Sequence, residues 1–395
     1  MKTLKDLDLQ DQRVLVRVDF NVPLNDSLQV TDDTRIRATV PTIKAIIKQG
    51  GKPVLMSHLG RPDGAYDAKF SLKSIVGKME ELTGCTVRFA EDCVGEEVVN
   101  QSKDLKNNEI LLLENLRFYN EETEGDEEFA RKLSENGDVY VNDAFGTAHR
   151  AHASTAIIAR FFADKKAAGL VMAAEVENVG KVLKEQNHPV TALVGGAKVS
   201  SKIDILQNLI PKLDNLIIGG GMAYTFIKAQ GGSIGKSLVE NDYLSTAREI
   251  LQSAKKQGVN VYLPKDSVNS DEFSNDGARS ISASASIADN LMGLDVGPET
   301  LDEIKPVIEG SRTILWNGPM GVFEFENFAN GTRKAADYIA AATRNGAFSL
   351  VGGGDSVAAV KKFDMQDEVS YVSTGGGAML EYLEGKELPG IKALD

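Results

Sequence analysis

The stretch Leu350-Val-Gly-Gly-Gly-Asp355 sets two apolar residues against three glycines and an acid. It reads as a strand that stops on a glycine turn and passes into a helix. Four more segments of the same half repeat the pattern: Leu193-Val-Gly-Gly196, Ile217-Ile-Gly-Gly-Gly221, Leu315-Trp-Asn-Gly-Pro319 and Val372-Ser-Thr-Gly-Gly-Gly377. In open α/β sheets ligands bind outside the carboxyl ends of the strands. Glycine there lets backbone N–H groups approach a ligand, and a helix beginning just beyond points its positive end at an anion. One such turn says little. Five in one half favour a phosphate-bearing ligand over tight packing alone.

Outward from this stretch, short β-rich runs alternate with helical periodicity along the chain. Strands are predicted over Arg13–Asp19, Pro53–Ser57, Glu109–Leu116 and Asp138–Asn142, then over Val190–Val194, Leu216–Ile218, Val259–Leu263, Thr313–Trp316 and Ala347–Val351. A helix is predicted over Asp32–Lys48 from apolar Ile36, Val40, Ile43 and Ile47, with Thr31 or Asp32 as its cap. Strict alternation predicts doubly wound parallel sheets. At 395 residues the chain is long enough for two domains. The boundary is expected near Gly169–Gln186, a helical stretch that Asn187-His188-Pro189 brings to a stop.

Residues 1–169 carry 11 of the 37 glycines and 10 arginines, whereas residues 170–395 carry 26 glycines and 5 arginines. The arginines of the first half sit at predicted strand ends, in Arg17-Val-Asp-Phe-Asn-Val-Pro23, Ser57-His-Leu-Gly-Arg-Pro62, Leu113-Glu-Asn-Leu-Arg-Phe118 and Asn142-Asp-Ala-Phe-Gly-Thr-Ala-His-Arg150. Parallel strands bring these ends to one edge, so Arg61, Arg117 and Arg150 converge with His58, and Arg35 and Arg37 open the first helix nearby. The guanidinium fork suits phosphate and carboxylate. Any one of these arginines could be a surface ion pair; several together are better explained by a small polyanion. Asp19 reads equally as a general base or as a partner for a substrate hydroxyl. His149 and His152 lack a third ligand at metal spacing and read as packing or hydrogen-bonding residues.

In the glycine half Lys198 and Lys202 stand four apart, on one face if the segment is helical, which favours phosphate contact over a solvated face. Asp355 reads equally as a Mg²⁺ ligand or as a helix cap. Gly231-Gly-Ser-Ile-Gly-Lys-Ser237 fails the register of a P-loop, since the first glycine would fall on Gln230, and the chain has no G-x-G-x-x-G. A formal net charge of -13 argues against nucleic acid as the main partner. No signal sequence or membrane-length apolar run is visible, and two cysteines, Cys85 and Cys93, do not make a disulfide framework; a cytoplasmic setting is expected.

The blocks at 17–23, 57–62 and 114–118, with Gly-Gly-Ala-Lys-Val (195–199), Trp-Asn-Gly-Pro-Met-Gly-Val-Phe-Glu (316–324) and Gly-Gly-Gly-Asp-Ser (352–356), resemble phosphoglycerate kinases in order and nearly end to end. The resemblance implies two doubly wound parallel-sheet (Rossmann-like) domains joined by a connecting helix with a hinge cleft. Residues 1–170, with 380–395 returning to them, form a phosphoglycerate-binding domain, and residues 171–379 form a nucleotide-binding domain. It implies reversible transfer of the acyl phosphate of 1,3-bisphosphoglycerate to MgADP, giving 3-phosphoglycerate and ATP, by a monomer without nucleic-acid or membrane partners. By motif, Asp19, Phe20, Asn21, Arg35, His58, Leu59, Gly60, Arg61, Arg117 and Arg150 hold the glycerate. Lys198, Lys202, Gly293, Glu324, Gly353, Gly354, Asp355 and Ser356 hold the nucleotide, with Asp355 serving Mg²⁺. Arg35, Lys202 and the backbone of Gly354 and Gly377 act on the transferring phosphoryl group. One departure is Ser201, where the family often has an aspartate beside the second lysine. Two other readings stay open: another ATP-dependent carboxylate kinase, and a regulatory nucleotide-binding protein with a dead substrate site.

Overall fold

A computed structural model describes residues 1–184 and 187–395. The chain forms two compact units, Met1–Glu177 with Glu387–Asp395, and Asn178–Lys386. The division thus falls inside the helix Leu170–Leu183, later than residue 170, and the return to the first unit begins at Glu387 rather than near 380. The far end of the expected connector, at Gln186, lies outside the described residues.

The first unit is built on six parallel strands in the spatial order Thr86–Phe89, Glu109–Leu112, Lys52–Met56, Arg13–Arg17, Val139–Asn142, Lys166–Ala168. The second repeats the scheme with Asn260–Tyr262, Asn215–Ile218, Val190–Val194, Thr313–Asn317, Phe348–Val351, Tyr371–Val372. Central strands are buried on both faces, which is why they read as unbroken Val, Ile and Leu runs rather than alternating ones. Each sheet has its own core. Val14, Val16, Ile36, Ile43, Leu55 and Leu112 pack in the first, and Leu193, Ile217, Ile304, Ile314, Trp316 and Ile339 in the second.

In each sheet the chain order reverses beside the first strand. The switch point lies between Arg13–Arg17 and Val139–Asn142 in one unit, and between Val190–Val194 and Thr313–Asn317 in the other. Loops leaving such a pair of strands diverge and open a crevice. The fold therefore places Val18–Asn21 opposite Asp143–Arg150, and Gly195–Lys202 opposite Gly318–Glu324.

Several expectations are corrected. The strand predicted over Glu109–Leu116 stops at Leu112, because the Asn115 side chain accepts from Arg117 N and starts the turn Leu116–Phe118. The first strand ends at Arg17, not Asp19. The first helix spans Thr34–Lys48 with Asp33 at its N-cap; Asp32 bonds Thr34 N at 2.9 Å in an Asx turn, and Thr31 bonds Pro23 O instead of capping. The alternation is not strict, since Asp266–Ser270 lies between Arg279–Ala283 and Met292–Val296 in an antiparallel sheet. Short runs rich in serine and asparagine (266–284) hid it. Among the described residues no helix is long and apolar enough to cross a membrane.

Candidate active site

In the first unit three loops and the first helix are tied together where the predicted substrate residues lie. Arg35 donates to Asp19 Oδ1 and to the carbonyl of Asn21, each at 3.1 Å. Asn21 Oδ1 accepts from Gly60 N at 2.9 Å, and Arg117 donates to Gly60 O at 2.8 Å. A continuous chain of bonds thus runs from the first helix through the loops after three strands. Arg150 and Arg61 are exposed, and Arg150 Nε bonds His149 Nε2 at 3.2 Å. Burial lowers the pKa of Arg117, and the nearby positive charges of Arg17, Arg150 and Arg61 lower it further, with Glu122 opposing. Arg17, Arg61, Arg117 and Arg150 thus lie close enough to act on one another, a clustering of positive charge that suits a polyanion.

Two predicted residues serve as anchors. Phe20 has its ring in the core and its N–H on Ser57 Oγ at 2.9 Å. Leu59 is buried and exchanges both backbone bonds with the Asn115 amide, at 3.2 and 2.7 Å. Arg37 pairs with Asp33 at the surface. His152 is held down to about 4 by burial and by Arg17, Arg117 and Arg150, a neutral group beneath the arginines.

In the second unit the site is mostly backbone. The helix Gly354–Lys362 begins with Gly353 at its N-cap, φ +93°, and the N–H groups of Gly354, Asp355 and Ser356 have no acceptor among the described residues. Gly353 has to be glycine: a Cβ there would lie 2.5 Å from Asn317 Nδ2. Gly195 and Gly318 cross so closely at the switch point that a Cβ on Gly318, φ +108°, would lie 2.2 Å from Gly195 O. Ser356 Oγ accepts from Gly318 N and locks the crossing to the helix start.

Lys202 donates to Asn317 Oδ1 at 2.6 Å, and Asn317 Nδ2 donates to Gly352 O at 2.7 Å. Burial lowers the Lys202 pKa while Asp355 and Glu384 support its charge. Those two acids supply the balance that Ser201 does not, for Ser201 is exposed and its hydroxyl caps the carbonyl of Lys198 at 2.8 Å. Lys198 and Lys202 do not share a helical face: they lie in the turn before Ile203–Leu209, with Lys202 as its N-cap, where the Ser201 hydroxyl bonds the Lys198 carbonyl and the Ser200 hydroxyl is held by distant Glu240 at 2.6 Å. Asp355 is exposed in the first helical turn and Gly353 holds the N-cap position, so Asp355 is not the cap.

Two adjoining cavities, of about 320 and about 500 Å³, share Gly196, Ala197 and Asp355. The smaller holds Lys198, Lys202 and Gly353–Ser356; the larger is mainly apolar and includes Gly293 and Glu324. A side chain at Gly293 would strike the Tyr224 hydroxyl at 1.9 Å. The helix Gly377–Leu383 also starts on a glycine, after Gly376 at φ +50°.

Sequence reasoning missed Arg17, Asn115 and Asn317, which hold the named residues in place. It also missed Lys236, Leu238 and Phe273 on the larger cavity. Arg17 had a signal, a cation inside an otherwise apolar strand. Lys236 belongs to the segment that fails as a P-loop; that segment joins the site through the cavity wall instead. Phe273 comes from the antiparallel insertion and had no motif.

The family described as phosphoglycerate kinase matches residues 4–386. The phosphoglycerate kinase of Borrelia hermsii is 50% identical over 395 residues, covering 100% of this chain and 99% of the relative. The cytosolic phosphoglycerate kinase of Triticum aestivum is 50% identical over 393 residues, covering 100% and 98%. The phosphoglycerate kinase structure from Coxiella burnetii superimposes with a TM-score of 0.91 at 41% identity, over 99% of this chain and 98% of that one. With that match in sequence and fold, the chain belongs to the phosphoglycerate kinase family.

Proposed function

We propose that Asp19, Asn21, Arg35, His58, Arg61, Arg117 and Arg150 hold 3-phosphoglycerate or 1,3-bisphosphoglycerate, with Phe20, Leu59 and Gly60 shaping the loops. Lys198, Lys202, Gly293, Glu324 and Gly353–Ser356 hold ADP or ATP. The observation that carries this reading is the pair of anion sites at two switch points. One is made of linked guanidinium groups, the other of a glycine helix start beside a desolvated lysine.

The family's reaction moves a phosphoryl group between the acyl phosphate of 1,3-bisphosphoglycerate and ADP. The attacking atom is an ADP phosphate oxygen in one direction and the glycerate carboxylate in the other. Both are anionic nucleophiles, so no general base is required. What the protein supplies is position and compensating charge. Arg35 and Lys202 meet the transferring oxygens, and the N–H groups of Gly354 and Gly377 add donors fixed before reaction begins. Lys202 is suited to this because its Asn317 bond and partial burial fix a charge that water would otherwise screen.

Among the described residues no group of three or more His, Cys, Asp or Glu side chains could hold a metal ion by itself. Asp355 offers one exposed carboxylate at the mouth of the phosphate cradle. That donor set fits Mg²⁺, which keeps most of its ligands as phosphate oxygens and water. When bound, Mg²⁺ neutralises charge on the nucleotide phosphates.

A coupled assay with 3-phosphoglycerate and MgATP tests the reading. Turnover with 3-phosphoglycerate is expected; turnover only with another carboxylic acid would remove the substrate assignment. Monomer mass by light scattering, and lack of retention on immobilised DNA, test the remaining expectations.

A further inference from the structure

Arg17 is fully buried, and its guanidinium is spent in three directions. Nε donates to Ser154 Oγ at 2.8 Å, one terminal nitrogen donates to the Val18 carbonyl, and the other lies 3.1 Å from His58 Nδ1. Ser154 in turn gives its proton to Glu122 Oε1 at 2.6 Å, while Glu122 Oε2 accepts Ser154 N–H at 3.0 Å. Glu122 is also fully buried. Arg17 is therefore held through a hydroxyl bridge to a buried carboxylate and cannot turn away from His58.

A guanidinium has donors only and does not lose its proton in proteins. The contact with His58 thus has one direction, with Nδ1 accepting. A neutral imidazole that accepts at Nδ1 carries its proton on Nε2. His58 Nε2 has no hydrogen bond within the described protein and is not among its buried unpartnered atoms, so it is reachable from outside. Protonating Nδ1 would set N–H against N–H.

We propose that Arg17 is a positioning residue that holds His58 as the neutral Nε2–H tautomer, so that His58 meets the substrate as a fixed single-proton donor rather than as a further cation. This rests on the reading that His58 faces the glycerate. Burial acts in the same sense, followed by Arg17 on the central strand, Arg117, Arg35 on the first helix, and His152, all of which keep the ring neutral. With arginines supplying the charge, the imidazole adds direction, and its hydrogen bond stays constant across neutral pH.

The chain has 4 histidines, so long-range ¹H–¹⁵N spectra of the full chain labelled at histidine resolve them, with His58 identified as the signal absent from His58→Gln. The expected result is a proton on Nε2 and a bare Nδ1 from pH 8 down to pH ~5.5, well below the ordinary midpoint of about 6.5. A proton on Nδ1, or a ring titrating at its ordinary midpoint, would overturn the proposal. Arg17→Met combined with Glu122→Gln removes both buried charges. In that variant the two tautomers are expected to mix at neutral pH and KM for 3-phosphoglycerate to rise there, while kcat at saturation changes by less than ~2-fold. An unchanged tautomer in the folded double variant also overturns it; if the variant does not fold, the wild-type spectrum decides alone. Adding 3-phosphoglycerate separates the claims. An Nε2–H signal that the ligand leaves unmoved supports the hold of Arg17 on the tautomer but ends the assignment of His58 to the substrate.

Discussion

On the proposed reading the two units solve one problem, holding an anion at a switch point, with opposite materials. The first uses long cationic side chains whose ends are tied to loop carbonyls, as Arg35 is to Asn21 and Arg117 to Gly60. The second uses main-chain N–H groups at Gly354, Asp355 and Ser356, with Lys202, half-buried, and Lys198 on the same cavity. Guanidinium groups bring full charge and bidentate geometry, but each must be immobilised by its own bonds. Backbone donors are fixed by the fold at no further cost in side-chain freedom, yet they demand that nothing project from the chain around them. A side-chain site should therefore tolerate loss of a member without losing its fold, whereas a backbone site should not.

The largest effect expected on activity is from the charges proposed to meet the transferring group. Lys202→Ala and Arg35→Ala should each lower kcat by about 10²–10³-fold, the range for removing one preorganised donor, with unchanged circular dichroism. Near-normal turnover in either would remove that residue from the mechanism.

Next comes the contrast in stability. Gly318→Ala puts a Cβ 2.2 Å from Gly195 O at φ +108° and should destabilise the protein by on the order of 3 kcal/mol in urea unfolding. Arg61→Ala, at an exposed position, should stay within about 0.5 kcal/mol while raising KM for 3-phosphoglycerate. Equal destabilisation by both would erase the difference between the sites.

Ligand specificity sharpens it further. Arg117→Ala should weaken 3-phosphoglycerate by about 10–100-fold, as expected for a charged hydrogen bond, and leave ADP titrations unaltered. Asn317→Ala, which frees Lys202 and Gly352, should do the reverse with a smaller loss. Crossed effects in calorimetric titrations would mean that the two sets of residues do not serve separate ligands.

The smallest effect concerns pH. Each unit buries a carboxyl raised to about 7 by burial, Asp143 in the first and Asp295 in the second. Asp143 Oδ1 accepts the N–H groups of Val171 and Met172 at the start of the helix Leu170–Leu183, while Oδ2 is buried without a partner among the described residues. A carboxyl whose folded pKa lies above its unfolded value of about 3.9 binds its proton more tightly when folded. Its stabilising contribution is present at acid pH and is lost as pH rises through about 7. Asp143→Asn should therefore gain on wild type between pH 5 and pH 8 in urea midpoints; a gap that does not change with pH would show that Asp143 is already ionised when folded.

Residue order was enough to place most strands of both parallel sheets, because Val-Leu-Val and Leu-Ile-Ile runs ending on glycine or arginine can bury both faces only in an α/β fold. The antiparallel insertion at 266–296 was not legible. Its strands mix serine, asparagine and apolar residues without the period of a half-buried sheet, and Phe273 came to the cavity wall with it. The Lys198–Lys202 spacing misled for a related reason: four residues mark a helical face only if the segment between them is helical, and here Ser201 bonds the Lys198 carbonyl while Ser200 is drawn to Glu240, forty positions away.

The sequence by itself determined which residue types stand at the strand ends, and hence that one half offers guanidinium groups and the other backbone. That follows from composition and periodicity, which are local. Only the tertiary structure decided which of those groups are held and by what. Arg17 meets His58 across 41 positions, Lys202 meets Asn317 across 115, and Gly195 must pass within contact of Gly318. Such pairings are set by strand order and by the closeness of crossing loops, and neither quantity is written in any single segment of the chain.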